Sequence, residues 1–316
     1  MRIEDFAQKV FDSHPTRFTR KEKNAFFEST KEYLKANGYE DKDIQVTEHK
    51  DLVKSRNLVV GNPAAPYVFT AHYDTPGKTG WLLAASKLFG QTGANIIFML
   101  LVVLLGCAAG FLSYGVLGER LPGIDPYMVN VAVWTVFFAV MIITMFVKNK
   151  NNRNDNTSGV LGVLYLAALA QKDPELRDKC CFVLFDNEEW GLLGSQGYAK
   201  WLKKNKINAD DSRVINLDCI GCGDILLAAK TAGKSTVCSE VAALARENGI
   251  KTVEKTSSMI FMSDHANFKN SVMLSYVDRS VFGPLYIPNI HTSKDIECDM
   301  EKVKNLSEML CTIAAK

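Results

Sequence analysis

The sequence predicts an α/β protein, a three-layer α/β/α sandwich around a central, mostly parallel sheet, with a two-helix transmembrane hairpin inserted into it. Three observations predict this. Short apolar runs such as YVFTA (67–71), CFVLF (181–185) and VINL (214–217) alternate with helix-length segments, the pattern of parallel strands joined by crossovers. Each of these runs ends in residues able to bind a cation or move a proton: His72-Tyr73-Asp74, then Asp186 to Glu189, then Asp218. In a parallel sheet the carboxyl ends of strands share one edge, where ligand crevices form, and independent surface charges have no reason to register there. Finally, two uncharged apolar stretches, Ala94–Leu117 and Tyr127–Val147, are each long enough to span about 30 Å of hydrocarbon.

The elements follow in order. Residues Arg2 to Gly38 read as helical, with Phe26, Phe27, Tyr33 and Leu34 at helical spacing before a glycine stop. NLVVG (57–61) and YVFTA flank NPAAP and suit a strand pair. After the hairpin, Ser158–Gln171 is apolar all round, as in a helix packed inside an α/β protein. KCCFVLF, RVINLD, DILLAA and SVMLSYV read as buried strands, interleaved with helices near Trp190–Lys204 and Thr236–Asn248, and an amphipathic helix closes the chain. Residues 1–90 and 148–316 thus form one discontinuous domain, and 91–147 the hairpin, with spans at about 94–117 and 127–147.

Composition narrows the function classes. The 316 residues are 47% hydrophobic and 23% charged, which excludes a disordered chain, and 37 basic against 35 acidic side chains leave a net charge of +2, too little to recruit nucleic acid. Eight cysteines lack the spacing of a disulfide scaffold, and Cys219-Ile220-Gly221-Cys222 has no second pair to complete a zinc knuckle, so it reads as buried thiols rather than a redox or metal motif. The first residues contain no apolar signal-peptide core. Lys78 and Lys87 precede the first span and Lys148, Lys150 and Arg153 follow the second, whereas the connecting turn offers Arg120 beside Glu119 and Asp125. The positive-inside rule places both chain ends, and the discontinuous domain with them, in the cytoplasm. Two spans without an acidic or basic residue do not make a transport pathway.

The fragments AHYDTPG, NDNTSGV, FDNEEWGLLGS, NLDCIG, MSDHANF and NIHTSKD, in this order, resemble the motif series of the co-catalytic two-zinc aminopeptidases, zinc metallopeptidases of clan MH that group with the glutaminyl cyclases. The resemblance covers about residues 20–90 and 150–316 and implies a zinc exopeptidase-like fold. It implies His72, Asp155, Glu189, Asp218 and His291 as ligands of two Zn2+ ions per chain, with Asp155 bridging, His72 and Asp218 on one ion, and Glu189 and His291 on the other. Two imidazoles and three carboxylates suit zinc independently of the resemblance, while leaving cobalt or manganese as substitutes. Glu188 is implied as the general base acting on a metal-bridging hydroxide and returning the proton to the leaving amine. Asp74 orients His72, and Asp295 is placed to do the same for His291. His265 reads equally as pocket lining or structure. Ile290 stands before His291, where the family often has an oxyanion donor; Tyr276 or Tyr286 could substitute.

These implications make the chain a membrane-anchored aminopeptidase acting on peptide or protein N-termini, with the lipid bilayer as its other partner. A glutaminyl-peptide cyclotransferase on the same fold and a non-catalytic peptide-binding relative are the alternatives. The sequence leaves oligomeric state open. Asp155 follows Val147 by eight residues, a contour of about 30 Å at most, which favours substrates presented at the membrane.

Overall fold

The computed structural model describes residues 1–50, 53–117, 123, 125–208, 211–231, 233, 235–256 and 261–315. They form two compact units, one of Met1–Thr75, Lys150–Asp278 and Ile287–Lys316, the other of Pro76–Asn149 with Arg279–Tyr286. The sequence division at residues 90 and 148 differs from this one: Pro76–Gly90 and the 279–286 loop pack with the hairpin.

The larger unit opens with helices α1 (Ile3–Ser13) and α2 (Arg20–Ala36). One helical run was expected to Gly38, but residues 14–19 break it. Pro15 cannot donate the next helical hydrogen bond, and Thr19 starts α2 in a capping box with Glu22. Strands β1 (Ile44–Lys50), β2 (Lys54–Gly61), β3 (Tyr67–His72), β4 (Cys180–Phe185), β5 (Arg213–Leu217), β6 (Ile225–Lys230), β7 (Thr252–Thr256) and β8 (Ser271–Arg279) lie in one sheet in the order β1-β2-β4-β3-β5-β8-β6-β7. The central pairs β4-β3, β3-β5 and β5-β8 are parallel, as are β6-β7, while β1-β2, β2-β4 and β6-β8 are antiparallel. The sheet is therefore mixed with a parallel centre.

The strand pair expected around NPAAP is not formed, because β4 lies between β2 and β3. Every residue of β4 is buried, and its two apolar neighbours give it ladder partners and side-chain cover on both edges. The sequence reading also missed β1 and β7. Both are edge strands whose side chains are mostly polar and partly exposed, so neither shows apolar periodicity.

Successive strand residues serve opposite faces. Leu58, Val60, Phe69, Ala71, Phe182, Leu184 and Ile215 join a core with α1, α2 and helices α5 (Gly159–Ala170), α8 (Thr236–Glu247) and α9 (Met300–Ala315). Val59, Val68, Cys181, Val183, Phe185 and Val214 join a second core with Tyr198 and Leu202 of α7 (Leu193–Lys204), and a short α6 (Pro174–Lys179) precedes β4. The two cores make the three-layer architecture.

In the smaller unit, α3 (Ser86–Gly110) and α4 (Pro126–Phe146) carry the apolar stretches. Segments Ser86–Val116 and Pro126–Phe146 are long and apolar enough to cross a membrane. Met99 and Phe146, 67% and 61% exposed, show apolar side chains turned outward, unlike the core helix of a soluble protein. The unit's two connections are clipped together: Gly77 bridges Lys148, Lys78 N donates to Val147 O (2.7 Å), and Asn149 N donates to Pro76 O (3.0 Å). Glu119 and Arg120 of the connecting turn lie outside the described residues.

Candidate metal centre

The carboxyl edge of the parallel strands gathers the side chains singled out in the sequence. His72 ends β3, Asp218 follows β5, and Glu188 and Glu189 occupy the turn after β4. His72 Nε2 lies 3.5 Å from Asp155 Oδ1 and 3.8 Å from Asp218 Oδ1. His291 Nε2 lies 3.1 Å from Asp155 Oδ2 and 3.3 Å from Glu189 Oε2. Asp155 therefore stands between two imidazoles, one carboxylate oxygen facing each. Ligand atoms of His72, Glu188 and Asp218 also converge within 4.8 Å, as do those of Asp155, Asp218 and Cys219.

Local hydrogen bonds explain how the chain holds these positions. In the turn after β4, Lys23 from α2 donates to Asp186 Oδ1 and Asn187 Oδ1, both at 2.6 Å, and Asp186 Oδ2 accepts the Arg56 amide at 3.0 Å. Asp74 then accepts the amides of Glu188 (3.0 Å) and Glu189 (3.3 Å). Its Oδ1 also stands 3.5 Å from His72 Nδ1, which lies 3.2 Å from Asp74 O. One carboxylate thus positions an imidazole and both glutamates, a wider task than the His72 contact read from the sequence.

The NDNTS segment is held by its own short polar side chains. Asn156 Nδ2 donates to Leu217 O (2.9 Å), its Oδ1 accepts the Cys219 amide (3.0 Å), Asn154 Oδ1 accepts Gly221 N (2.8 Å), and Ser158 Oγ accepts Ile220 N (2.9 Å). The loop carrying Asp155 is thereby tied to the loop carrying Asp218, and the Asp155–Asn156 peptide is cis. Asp295 accepts the amides of Asn154 (2.8 Å) and Asp155 (2.9 Å). Its observed task is to hold the Asp155 backbone, where the sequence reading had assigned it to His291. Asn187, Cys219 and His291 all adopt left-handed backbone conformations, which cost non-glycine residues energy and gather at functional sites.

The electrostatics are those of a site short of positive charge. Burial pushes Glu188 well above the usual carboxylate range against the pull of His72, with Glu189, Asp264 and Asp218 adding to the rise. Burial likewise raises Glu189, and it pushes Asp295 up to about 8 and Asp264 up to about 7. Burial alone would depress His72, but Glu188, Asp155, Asp218 and Asp74 overcome it and hold its pKa well above normal; Glu189 and Asp155 do the same for His291. Burial opposes ionisation of Asp155 too, yet His291 and His72 keep its pKa lowered. Burial and the neighbouring Asp155 and Asp218 raise the Cys219 thiol, so it stays protonated beside them. Arg17 is fully buried, with Asp74, Asp155 and Asp295 among the charges acting on it, and its Nε donates to Tyr73 O at 2.5 Å.

Divalent cations fit this donor set. Asp155 Oδ2 and Glu189 Oε1 are buried and accept no hydrogen bond, so both are available as ligand atoms, and a cation would supply the missing charge. Asp264, in the Asp264–Asn267 turn, is the site residue the sequence reading missed. The signal was present in SDHANF, but attention fell on His265, which is buried with its pKa pushed down to about 4 by burial. Tyr276 lies in β8 with the Lys302 ammonium 5.5 Å from its ring centroid, and Tyr286 belongs to the smaller unit.

Known structures share this architecture. An aminopeptidase of Legionella pneumophila, LapA, superposes with a TM-score of 0.61 at 15% identity, over 100% of this chain and 69% of LapA. A Zn-dependent exopeptidase from Parabacteroides distasonis gives 0.59 at 16% identity, over 99% and 96% of the two chains. A glutaminyl cyclase from Porphyromonas gingivalis gives 0.60 at 15% identity, over 98% and 95%. No curated protein matches the chain in sequence. The profile of Peptidase family M28 matches residues 147–314, more than half of the chain and including Asp155, Glu188, Glu189, Asp218 and His291. With its fold shared by zinc exopeptidases and Asp155, Glu188, Glu189, Asp218 and His291 inside the matched segment, which makes up more than half of the sequence, this chain belongs to peptidase family M28.

Proposed function

We propose that the protein is a membrane-anchored, zinc-dependent aminopeptidase that removes N-terminal residues from peptides or protein N-termini. The observation that carries the reading is the convergence of His72, Asp155, Glu189, Asp218 and His291, with Asp155 facing both imidazoles and Glu188 beside the set. His72, Asp218 and one oxygen of Asp155 would hold one ion, and His291, Glu189 and the other oxygen a second. Zinc bound there supplies an activated water and a Lewis acid for the scissile carbonyl.

The chain's own residues supply the rest. Burial raises Glu188 against the pull of His72, and a buried carboxyl beside the ligand set is the group to take a proton from water and give it to a departing amine. Asp74 fixes its backbone while leaving its carboxylate free to act. The two outward-facing apolar helices support anchoring in a bilayer, and the cations Lys78, Lys87, Lys148 and Lys150 flanking them support a cytoplasmic side for the larger unit by the positive-inside rule.

The fold likeness to a glutaminyl cyclase supports a second reading, cyclisation of N-terminal glutamine. One experiment separates the two. Metal content is measured on detergent-purified wild type and Glu188→Gln, alongside turnover of aminoacyl amides and glutaminyl peptides. The peptidase reading expects about two zinc ions in both proteins, with hydrolysis reduced about 10²- to 10⁴-fold in the variant. A single zinc with cyclisation transfers the site to the other reaction, and a chain that takes up no metal removes the enzyme assignment.

A further inference from the structure

Outside the apolar helical segments Ser86–Val116 and Pro126–Phe146, the most exposed large apolar side chains of the described residues lie side by side on the loop that follows β8. Val281 is 70% and Phe282 67% exposed, the range of Met99 (67%) on the first apolar helix; the next described residue outside those helices is Ile296 at 52%. A tight turn presents the pair. Ser280 N donates to Pro284 O (2.8 Å), Gly283 N donates to Ser280 O (2.9 Å), Gly283 has φ +98°, and the Arg279 guanidinium closes on Gly283 O at 3.1 Å.

The same unit holds this loop against the start of the first apolar helix. Val281 N donates to Lys87 O and Phe282 N to Leu88 O, both at 3.1 Å, and the Phe282 ring stacks on Phe89 with centroids 5.1 Å apart. Gly90, at φ +73°, permits the contact, since a Cβ there would come within 2.6 Å of Pro284 Cβ. Phe89 precedes Ala94, the first residue of the uncharged stretch, by five positions, with the helix kinked at Gly90 between them, a contour of about 18 Å at most. Aromatic rings at that level, with Lys78, Lys87 and Arg279 near them in the chain, have the composition of a membrane interface.

We propose that the Arg279–Tyr286 loop is a third membrane contact, inserting Val281 and Phe282 at the headgroup–acyl boundary beside the first span, with the basic residues among the headgroups. This rests on the reading of the two helices as membrane spans and adds a contact that no span provides. The interface suits the loop because the Val281 and Phe282 amides are already satisfied by Lys87 and Leu88 while most of the surface of both apolar side chains is left uncovered.

The test uses the full chain in lipid nanodiscs, with trifluoromethyl-phenylalanine introduced in turn at Phe282, at Phe138 on the second apolar helix, and at Val46 on the exposed edge strand. Each 19F signal is recorded with a nitroxide-bearing lipid and with a water-soluble paramagnetic chelate. The expected result is that the 282 and 138 signals are lost to the lipid probe and survive the chelate, while the 46 signal does the reverse. A 282 signal lost to the chelate while 138 is lost to lipid would overturn the loop proposal and leave the spans standing. A 282 signal that survives both probes shows it covered by protein and also overturns it. If 138 too survives the lipid probe, the spans themselves fail.

Discussion

Removing the metal should make the larger unit less stable as pH rises, the opposite of what paired carboxylates usually do. Asp295 has an ordinary carboxyl pKa of 3.8 but is pushed up to about 8 by burial and by Asp155, and burial pushes Asp264 up to about 7. A carboxyl whose folded pKa is raised favours the fold while protonated. Its contribution is complete below the unfolded value and is lost as pH climbs toward the folded one. His72 and His291 act in the same direction, because a raised histidine stabilises fully below its ordinary 6.5 and ceases to do so as pH passes its folded value. Asp155 and Asp74, whose pKa values are lowered, lose their contribution only as pH falls into the acid range, outside this window. Each raised group gives up about 1.4 kcal/mol per pH unit between its two values, so Asp295 alone represents about 3 kcal/mol between pH 5.5 and 8. For a unit of this size that is a fall of about 10 °C in melting temperature. The assay is thermal unfolding of chelator-stripped, detergent-purified protein followed by tryptophan fluorescence, since Trp190 and Trp201 both lie in the larger unit. Zinc should abolish or reverse the fall by binding the ionised carboxylates and neutral imidazoles, and Asp295→Asn should shrink it in the stripped protein. A stripped protein whose melting temperature is flat or rises from pH 5.5 to 8 would refute the account of the site as short of positive charge.

Two further substitutions probe how the glutamates and His72 are held. Lys23→Met leaves the Asp186 carboxylate buried beside Asn187 without its cation, and should cost about 3–5 kcal/mol in denaturant unfolding, a loss largely recovered by adding Asp186→Asn. Asp74→Asn keeps the side chain's volume but weakens its hold on His72 and on the amides of Glu188 and Glu189, and should lower zinc affinity about 10- to 100-fold in competition with a chelator.

The strand ends were legible because buried strands are read as apolar runs, and the first charged residue after such a run marks the sheet edge. That is why His72, Glu188, Glu189 and Asp218 could be named before any coordinates. The supports of the site were less legible. The bonds of Asn154, Asn156 and Ser158 to Leu217–Gly221 join loops about sixty residues apart, and nothing in the periodicity of either loop announces the other. Lys23 was hidden for the same reason: on a helix it looks like any solvated lysine until Asp186, 163 residues away, folds against it. The interior position of β4 depended on which apolar partners a fully buried strand requires, which alternation alone does not specify.

The insertion between His72 and Asp155 shows how two long apolar helices can be added without disturbing such a site. Its two connections are already hydrogen-bonded to each other, Asn149 N to Pro76 O and Lys78 N to Val147 O, so the hairpin begins and ends at nearly one point. The bonds that orient Asp155 come instead from Asp295, and those that orient His72 from Asp74, all within the larger unit. Replacing residues 79–147 by a short glycine-containing turn should therefore leave zinc binding within about threefold of wild type, since closing a shorter loop changes folding entropy only slightly. Anchorage should fall to weak, reversible vesicle binding at most, because the two apolar helices are gone and the Val281–Phe282 loop has lost its supports at Lys87, Leu88 and Phe89. The measurements are zinc affinity by chelator competition and vesicle co-sedimentation of the shortened protein beside the full chain. Loss of zinc binding in a shortened protein that still unfolds cooperatively would show that the hairpin helps to shape the centre, against the hydrogen bonding seen here.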